Sequence, residues 1–209
     1  RGTALKFALL GYTLFYMVIG GVAVLILPDY KTLLNISYTW TSVLLAILGI
    51  STGVGDYVAG RLSKQSIRPG LINFGTLATT AAFLGLGLIP ISFYNHPAAF
   101  YLVALLLAAG GFTAGFVIVP LQTMVQYLAE DGARGQVLGL WCCLSFIGVI
   151  VGNVLFLLVR NLDLITGGRL PEMPPDKVFL VCAAFTILLQ WLHTARWSQL
   201  FNKVILEAK

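Results

Sequence analysis

Six long stretches of this sequence carry almost no charge, and that feature decides what the chain can fold into. They cover roughly residues 7–27, 37–59, 71–91, 98–121, 137–159 and 179–197. The hydrocarbon core of a bilayer is roughly 30 Å thick, and about 20 apolar residues of α-helix cross it. Each stretch has about that length. Composition closes off the soluble alternative: of 209 residues, 58% are hydrophobic and only 10% are charged. A water-facing surface needs about 25% charged residues, so this surface must face lipid. No stretch alternates apolar with polar at period two, which excludes barrel strands. The expected fold class is all-α integral membrane, a six-transmembrane-helix bundle formed by residues 1–209 as a single membrane domain.

Punctuation between the stretches agrees with this division. Pro28-Asp29 closes the first, and Arg61-Leu62-Ser63-Lys64 closes the second. Asn95-His96-Pro97 separates the third from the fourth, and Glu130 to Arg134 follows the fourth. A longer connection with Pro171, Pro174 and Pro175 precedes the sixth. Arg1, Lys6, Arg61, Lys64, Arg68, Arg134, Arg196, Lys203 and Lys209 fall on one side of the membrane. Only Lys31, Arg160, Arg169 and Lys177 fall on the other. Basic residues favour the cytoplasm, so the chain is expected in the cell inner membrane, multi-pass, with both termini cytoplasmic. Its net charge of +5 then reports topology and contact with anionic membrane lipid, not a nucleic-acid partner. The tail 198–209 is expected to lie on the membrane surface. Because the chain opens on Arg1 rather than Met, it is expected to be cut from something longer.

Residues with chemical potential are few. No phosphate loop, H-e-x-x-h zinc motif or C-x-x-C pair occurs, and Ser145 is not in a nucleophile elbow. His96 and His193 lack the acid that an acyltransferase motif places five residues on. Cys142, Cys143 and Cys182 lie inside predicted spans without metal-ligand spacing, as small packing residues would. No catalytic residue, metal or cofactor is expected, and the chain is not expected to be an enzyme. The one acid within a span is Asp56, near its cytoplasmic end. Uncharged polar side chains remain: Tyr12, Tyr16, Asn73, Thr76, Gln122 and Asn153 are candidates to line a substrate cavity. Glycines spaced by four, Gly49/Gly53, Gly111/Gly115 and Gly148/Gly152, are expected to let helices approach closely. Pro120 is expected to bend the fourth span.

Two segments carry a resemblance. Gly53, Gly60 and Arg61 match the G-x-x-x-D-x-x-G-R signature of the major facilitator superfamily, which follows the second helix of each six-helix half. The family's acid falls on Tyr57, whereas Asp56 is one residue early, about 100° around a helix. Arg134, Gly135 and Gly139 resemble the R-G-x-x-x-G turn between the fourth and fifth helices. In that superfamily the first signature helps lock the cytoplasmic gate. With Gly60-Arg61-Leu62-Ser63 and the Pro120-Leu121 fourth helix, the chain is most similar to the bacterial lysophospholipid transporter branch. Some members of that branch are fused to acyltransferase or acyl-carrier-protein synthetase domains. The resemblance implies the C-terminal half of a twelve-helix transporter working by alternating access on lysophospholipid. Its implied partners are an N-terminal six-helix half, membrane lipid and a fused or associated acyltransferase. A facilitator of a drug, sugar or small metabolite, or a non-transporting anchor for a fused acyltransferase, stands as the alternative.

Overall fold

A computed structural model describes residues 2–23, 27–63, 69–130, 132–161 and 173–192. The described residues are helical or in short connections, with no strand among them. Helix α1 covers Gly2–Tyr16 and continues as a π-helical stretch over Met17–Ala23. After a 3₁₀ turn at Leu27–Asp29 and a short α2, Tyr30–Leu34, come α3, Tyr38–Leu62, and α4, Pro69–Gly87. A second 3₁₀ turn, Ile91–Asn95, leads to α5, Ala98–Leu128. Helix α6 is Arg134–Arg160 and α7 is Pro175–Leu192. Among the described residues, four helices are long and apolar enough to cross a membrane: Tyr38–Leu62, Gly70–Gly87, Ala98–Leu128 and Arg134–Arg160. The molecule is an all-α membrane-helix bundle.

Local chemistry sets the ends. Pro69 and Pro175 open α4 and α7, where a missing N–H costs nothing and φ is already helical. Asn35 ends α2 in the left-handed region, at φ 50°, which asparagine tolerates better than most residues. The third span stops at Gly87 rather than reaching residue 91, because Pro90 disfavours helical backbone at Ile89. Helix α5 instead passes its proline: Pro120 lies inside it and the helix runs on to Leu128, not 121. In lipid a helix tolerates such a break when its neighbours supply packing, and Pro120 is buried. The proposed end of the last span at 197, His193 and the tail 198–209 lie outside the described residues.

Helix α5 is the centre of the bundle, packed on α3, α4 and α1. Its crossing with α3 is backbone on backbone. A methyl group added at Gly115 would meet the backbone of Gly55 and Asp56. One at Gly55 would run into the Phe112 carbonyl, and one at Gly111 into Ser51 and Leu48. Gly148 and Gly152 do the same for α6, against the Thr13 and Met17 carbonyls of the first span. Gly49 and Gly53 depart from the expectation: both are exposed, and an added methyl would meet nothing within 4 Å. Their spacing marks a face of α3, and that face is not the one turned to α5. Cys142 and Cys143 likewise face outward on α6, while Cys182 is buried. Side-chain hydrogen bonds complete the assembly. Thr79 and Thr113 hydroxyls lie 2.9 Å apart between α4 and α5, and Thr80 donates to Thr186 of α7 at 2.8 Å.

The connections at the Arg160 end are tied together. Arg160 pairs with Asp29, and Lys177 Nζ donates to the Gly87 carbonyl at 2.9 Å while lying 3.0 Å from Asp176. Tyr30 and Phe179 rings meet edge to face, as do those of Tyr30 and Tyr94, each pair with centroids 6.1 Å apart. Both phenols are buried, and burial raises both pKa values. The Tyr94 phenol is pushed up to about 12 from 10.0, and Tyr30 shifts in the same direction.

Two consequences can be measured. Gly115→Val is expected to cost about 1–3 kcal/mol of stability by forcing α3 off α5, seen as a lower melting temperature in detergent. Gly53→Ala, the control, is expected to stay within about 0.5 kcal/mol; equal losses would mean that this crossing does not hold the bundle. For pH, an unfolded tyrosine releases its proton near 10.0 while folded Tyr94 keeps it to about 12. The unfolded state therefore binds fewer protons in that window, and stability falls with rising pH. Tyr94→Phe should flatten part of this alkaline loss. A wild-type melting temperature that holds steady from pH 10 to about 12 would contradict it.

Candidate functional site

The signature segment forms the last turns of α3, so Arg61 belongs to the helix and does not begin the loop. Arg61 Nη1 donates to the Tyr57 hydroxyl at 3.0 Å, one turn earlier. The guanidinium also lies 5.8 Å from the Tyr57 ring centroid. The phenol thus occupies the place of the family's acid and still engages the arginine. Gly53 and Gly60 have open space where a side chain would be.

Asp56, displaced by one residue, turns away from that pair and into the bundle. An added methyl at Gly115 of α5 would lie 2.8 Å from its Oδ1. That oxygen is buried without a hydrogen-bond donor, and Asp56 forms no ion pair among the described residues. Ala114, the neighbour of Gly115 on α5, belongs to the apolar cluster that holds Tyr12.

Tyr12 is the hub of an aromatic group. Its ring stacks on Tyr16 with centroids 4.6 Å apart and meets Trp141 edge to face at 5.0 Å. Trp141 and Ser145 come from α6; the Ser145 hydroxyl is bonded to the Trp141 carbonyl at 2.8 Å. The Trp141 indole N–H is buried without an acceptor. Helices α1 and α6 therefore bring two tyrosines and an indole donor together. Trp141 was not singled out from sequence. Its signal was available, since it lies about 10 Å along α6 from Arg134, at a depth that the Tyr12 position shares to within about one turn.

Other candidates stand elsewhere. Asn73 Oδ1 accepts from Gln190 of α7 at 3.1 Å, and the Thr76 hydroxyl bonds its own helix at Ile72. The Asn73–Gln190 bond serves the α4–α7 contact. Gln122 of α5 and Asn153 of α6 are half-buried and make no hydrogen bond among the described residues. Arg134 opens α6 and lines a cleft of about 460 Å³ with Gln126, Tyr127, Val137 and Leu138. Gly135 and Gly139 are exposed, and added methyl groups there would meet nothing. No cluster of metal-ligating side chains occurs among the described residues.

A family model described as Major Facilitator Superfamily matches residues 3–153. No curated protein matches the sequence significantly. The matched range takes in α1 to most of α6, and with them Tyr12, Asp56, Arg61, Arg134 and Trp141.

The geometry separates interhelical polar contacts from exposed ones in a testable way. Asn73→Leu is expected to cost about 0.6 kcal/mol, and at most about 1.7, the range measured for interhelical hydrogen bonds in a membrane protein. Tyr57→Phe, whose partner is exposed, should change stability by less than about 0.5 kcal/mol. Melting curves that reversed this order would assign the polar contacts wrongly.

Proposed function

Because the chain belongs to the major facilitator superfamily, we propose that it forms the C-terminal six-helix half of a twelve-helix transporter and that lysophospholipid is the cargo. The coarser statement, a membrane transporter of the major facilitator type, follows from the family. In that architecture two bundles related by an axis along the membrane normal rock about a central site. The observation that carries the reading is the asymmetry of burial. Helices α3 and α6 span a membrane yet leave most of their surface uncovered. Ile50, Val54, Phe146, Ile147 and Ile150 are all exposed. An N-terminal half seated against these two helices would enclose the Tyr12, Tyr16 and Trp141 region between the bundles.

Several features favour a lipid-like cargo. The region is walled by aromatic and aliphatic side chains. Such walls accept an acyl chain without a heavy desolvation cost, whereas a sugar would leave hydroxyls unpaired. The two signature segments and the Pro120-Leu121 helix add the resemblance to the lysophospholipid branch. In this reading Tyr57 and Arg61 belong to the gate at the basic end, together with Arg134. That end faces the cytoplasm, with both termini, in the inner membrane. A fused or associated acyltransferase would consume the cargo by reacylating it.

The full-length protein, reconstituted in liposomes, is expected to move fluorescent lysophospholipid between leaflets faster than protein-free liposomes do. Arg61→Ala should slow this about tenfold or more, the effect of losing about 1.4 kcal/mol of gate contact. Folded protein that moves a neutral hexose or a drug-like solute, and leaves lysophospholipid where it was, would transfer the assignment to the other branch of cargo.

A further inference from the structure

The cleft between the end of α5 and the start of α6 has a volume of about 460 Å³, within the range of about 300–1,000 Å³ that ligand sites occupy. Its lining is divided by chemistry. Val125 and Val137 form the floor. Val125 is buried in the apolar cluster that holds Tyr12, and Val137 packs against that cluster, so core packing fixes this surface. Gln126, Tyr127 and Arg134 form the rim, and all three are exposed. Among the described residues that line the cleft, Arg134 carries the only charge.

Depth in the membrane narrows the ligand. Helices α5 and α6 are both long and apolar enough to cross a bilayer, and they line the cleft with the last turns of one and the first turns of the other. The cleft therefore opens where the spans leave the hydrocarbon, the level of lipid phosphates and of interfacial tyrosines such as Tyr127. A guanidinium presents five N–H donors in a planar fork that matches a phosphate, and the Gln126 amide and Tyr127 hydroxyl add neutral donors beside it. Basic pockets between spanning helices bind lipid head groups in this way. We propose that the cleft holds the phosphate of an anionic phospholipid, with Arg134 as its counter-charge and the valine floor against the glycerol end of its acyl chains. The site rests on the membrane-spanning assignment alone and does not depend on which cargo is carried.

The test follows the melting temperature of the full-length protein in dodecyl maltoside, titrated with dioleoylphosphatidylglycerol, dioleoylglycerol or glycerol 3-phosphate. Phosphatidylglycerol is expected to raise it. Dioleoylglycerol, which has no phosphate, and glycerol 3-phosphate, which has no acyl chain, are expected to leave it unchanged. Arg134→Gln should weaken the apparent affinity for phosphatidylglycerol by about tenfold or more. Gln126→Glu, which sets a carboxylate beside the phosphate, should weaken it too, and Gln126→Lys should strengthen it. Lys6→Gln, exposed on α1, controls for general surface charge and should bind as wild type does. Equal affinity in Arg134→Gln and wild type, or an equal loss in Lys6→Gln, overturns the site. An Arg134-dependent response to glycerol 3-phosphate as large as that to the lipid overturns the lipid assignment in favour of a soluble phosphate. Should Arg134→Gln not fold, the two Gln126 variants decide, and identical affinities in them overturn the site. Lysophospholipid movement by the same protein keeps the claims apart. Failed movement with intact, Arg134-dependent binding removes the cargo and leaves the site, and the reverse result removes the site alone.

Discussion

Everything in this bundle depends on the approach of two backbones, α3 and α5, to the distance at which a single methyl group would not fit. In lipid there is no water to drive helices together, so association comes from close packing and interhelical hydrogen bonds. Glycine is the residue that lets those terms act at full strength. Gly55, Gly111 and Gly115 remove the side chains from the crossing, and α5 can then serve as the common wall for α1, α3 and α4. The threonine pairs, Thr79 with Thr113 and Thr80 with Thr186, add polar contacts where α4 is already in place. Density at the centre is what leaves α3 and α6 free to spend their outer faces on other partners.

The same crossing explains the division of labour between Asp56 and Tyr57. A helix turns about 100° per residue, so adjacent positions cannot look the same way. With Gly55 pressed on Phe112, residue 56 is carried to the α5 side and residue 57 to the exposed side, beside Arg61. A carboxylate at 57 would pair with Arg61 as a surface ion pair, worth little in water. A phenol there keeps a hydrogen bond and a ring contact, and adds no charge. The acid at 56 is thereby turned away from Arg61.

The spans were legible because lipid exposure removes charge over whole segments, a signal that no tertiary contact can hide. The family was legible from Gly53, Gly60, Arg61, Arg134, Gly135 and Gly139, although in the fold a methyl group added at any of the four glycines would meet nothing within 4 Å. Spacing of four residues marks a helix face but says nothing of what that face meets. Gly111 and Gly115 meet α3, while Gly49 and Gly53 meet open space. Asn73 shows the same limit for polar residues. Its partner, Gln190, is 117 residues away, and no local pattern distinguishes a cavity amide from one tied to a neighbouring helix. The fourth span runs on past Pro120 to Leu128, because the penalty for an interior proline is set by what surrounds it.

The π-helical stretch from Met17 to Ala23 has a mechanical meaning. Each π turn holds one residue more than the α form, and such turns are rare outside functional positions. Rewinding one of them into α geometry would take up a residue and turn the segment before it by about 100° about its own axis. Tyr12 and Tyr16 lie in that segment, and Gly20 and Gly21 lie at the point of rewinding, against Val149 and Gly152 of α6. A first span rewound in this way would present a different face of its Tyr12 and Tyr16 end to α6.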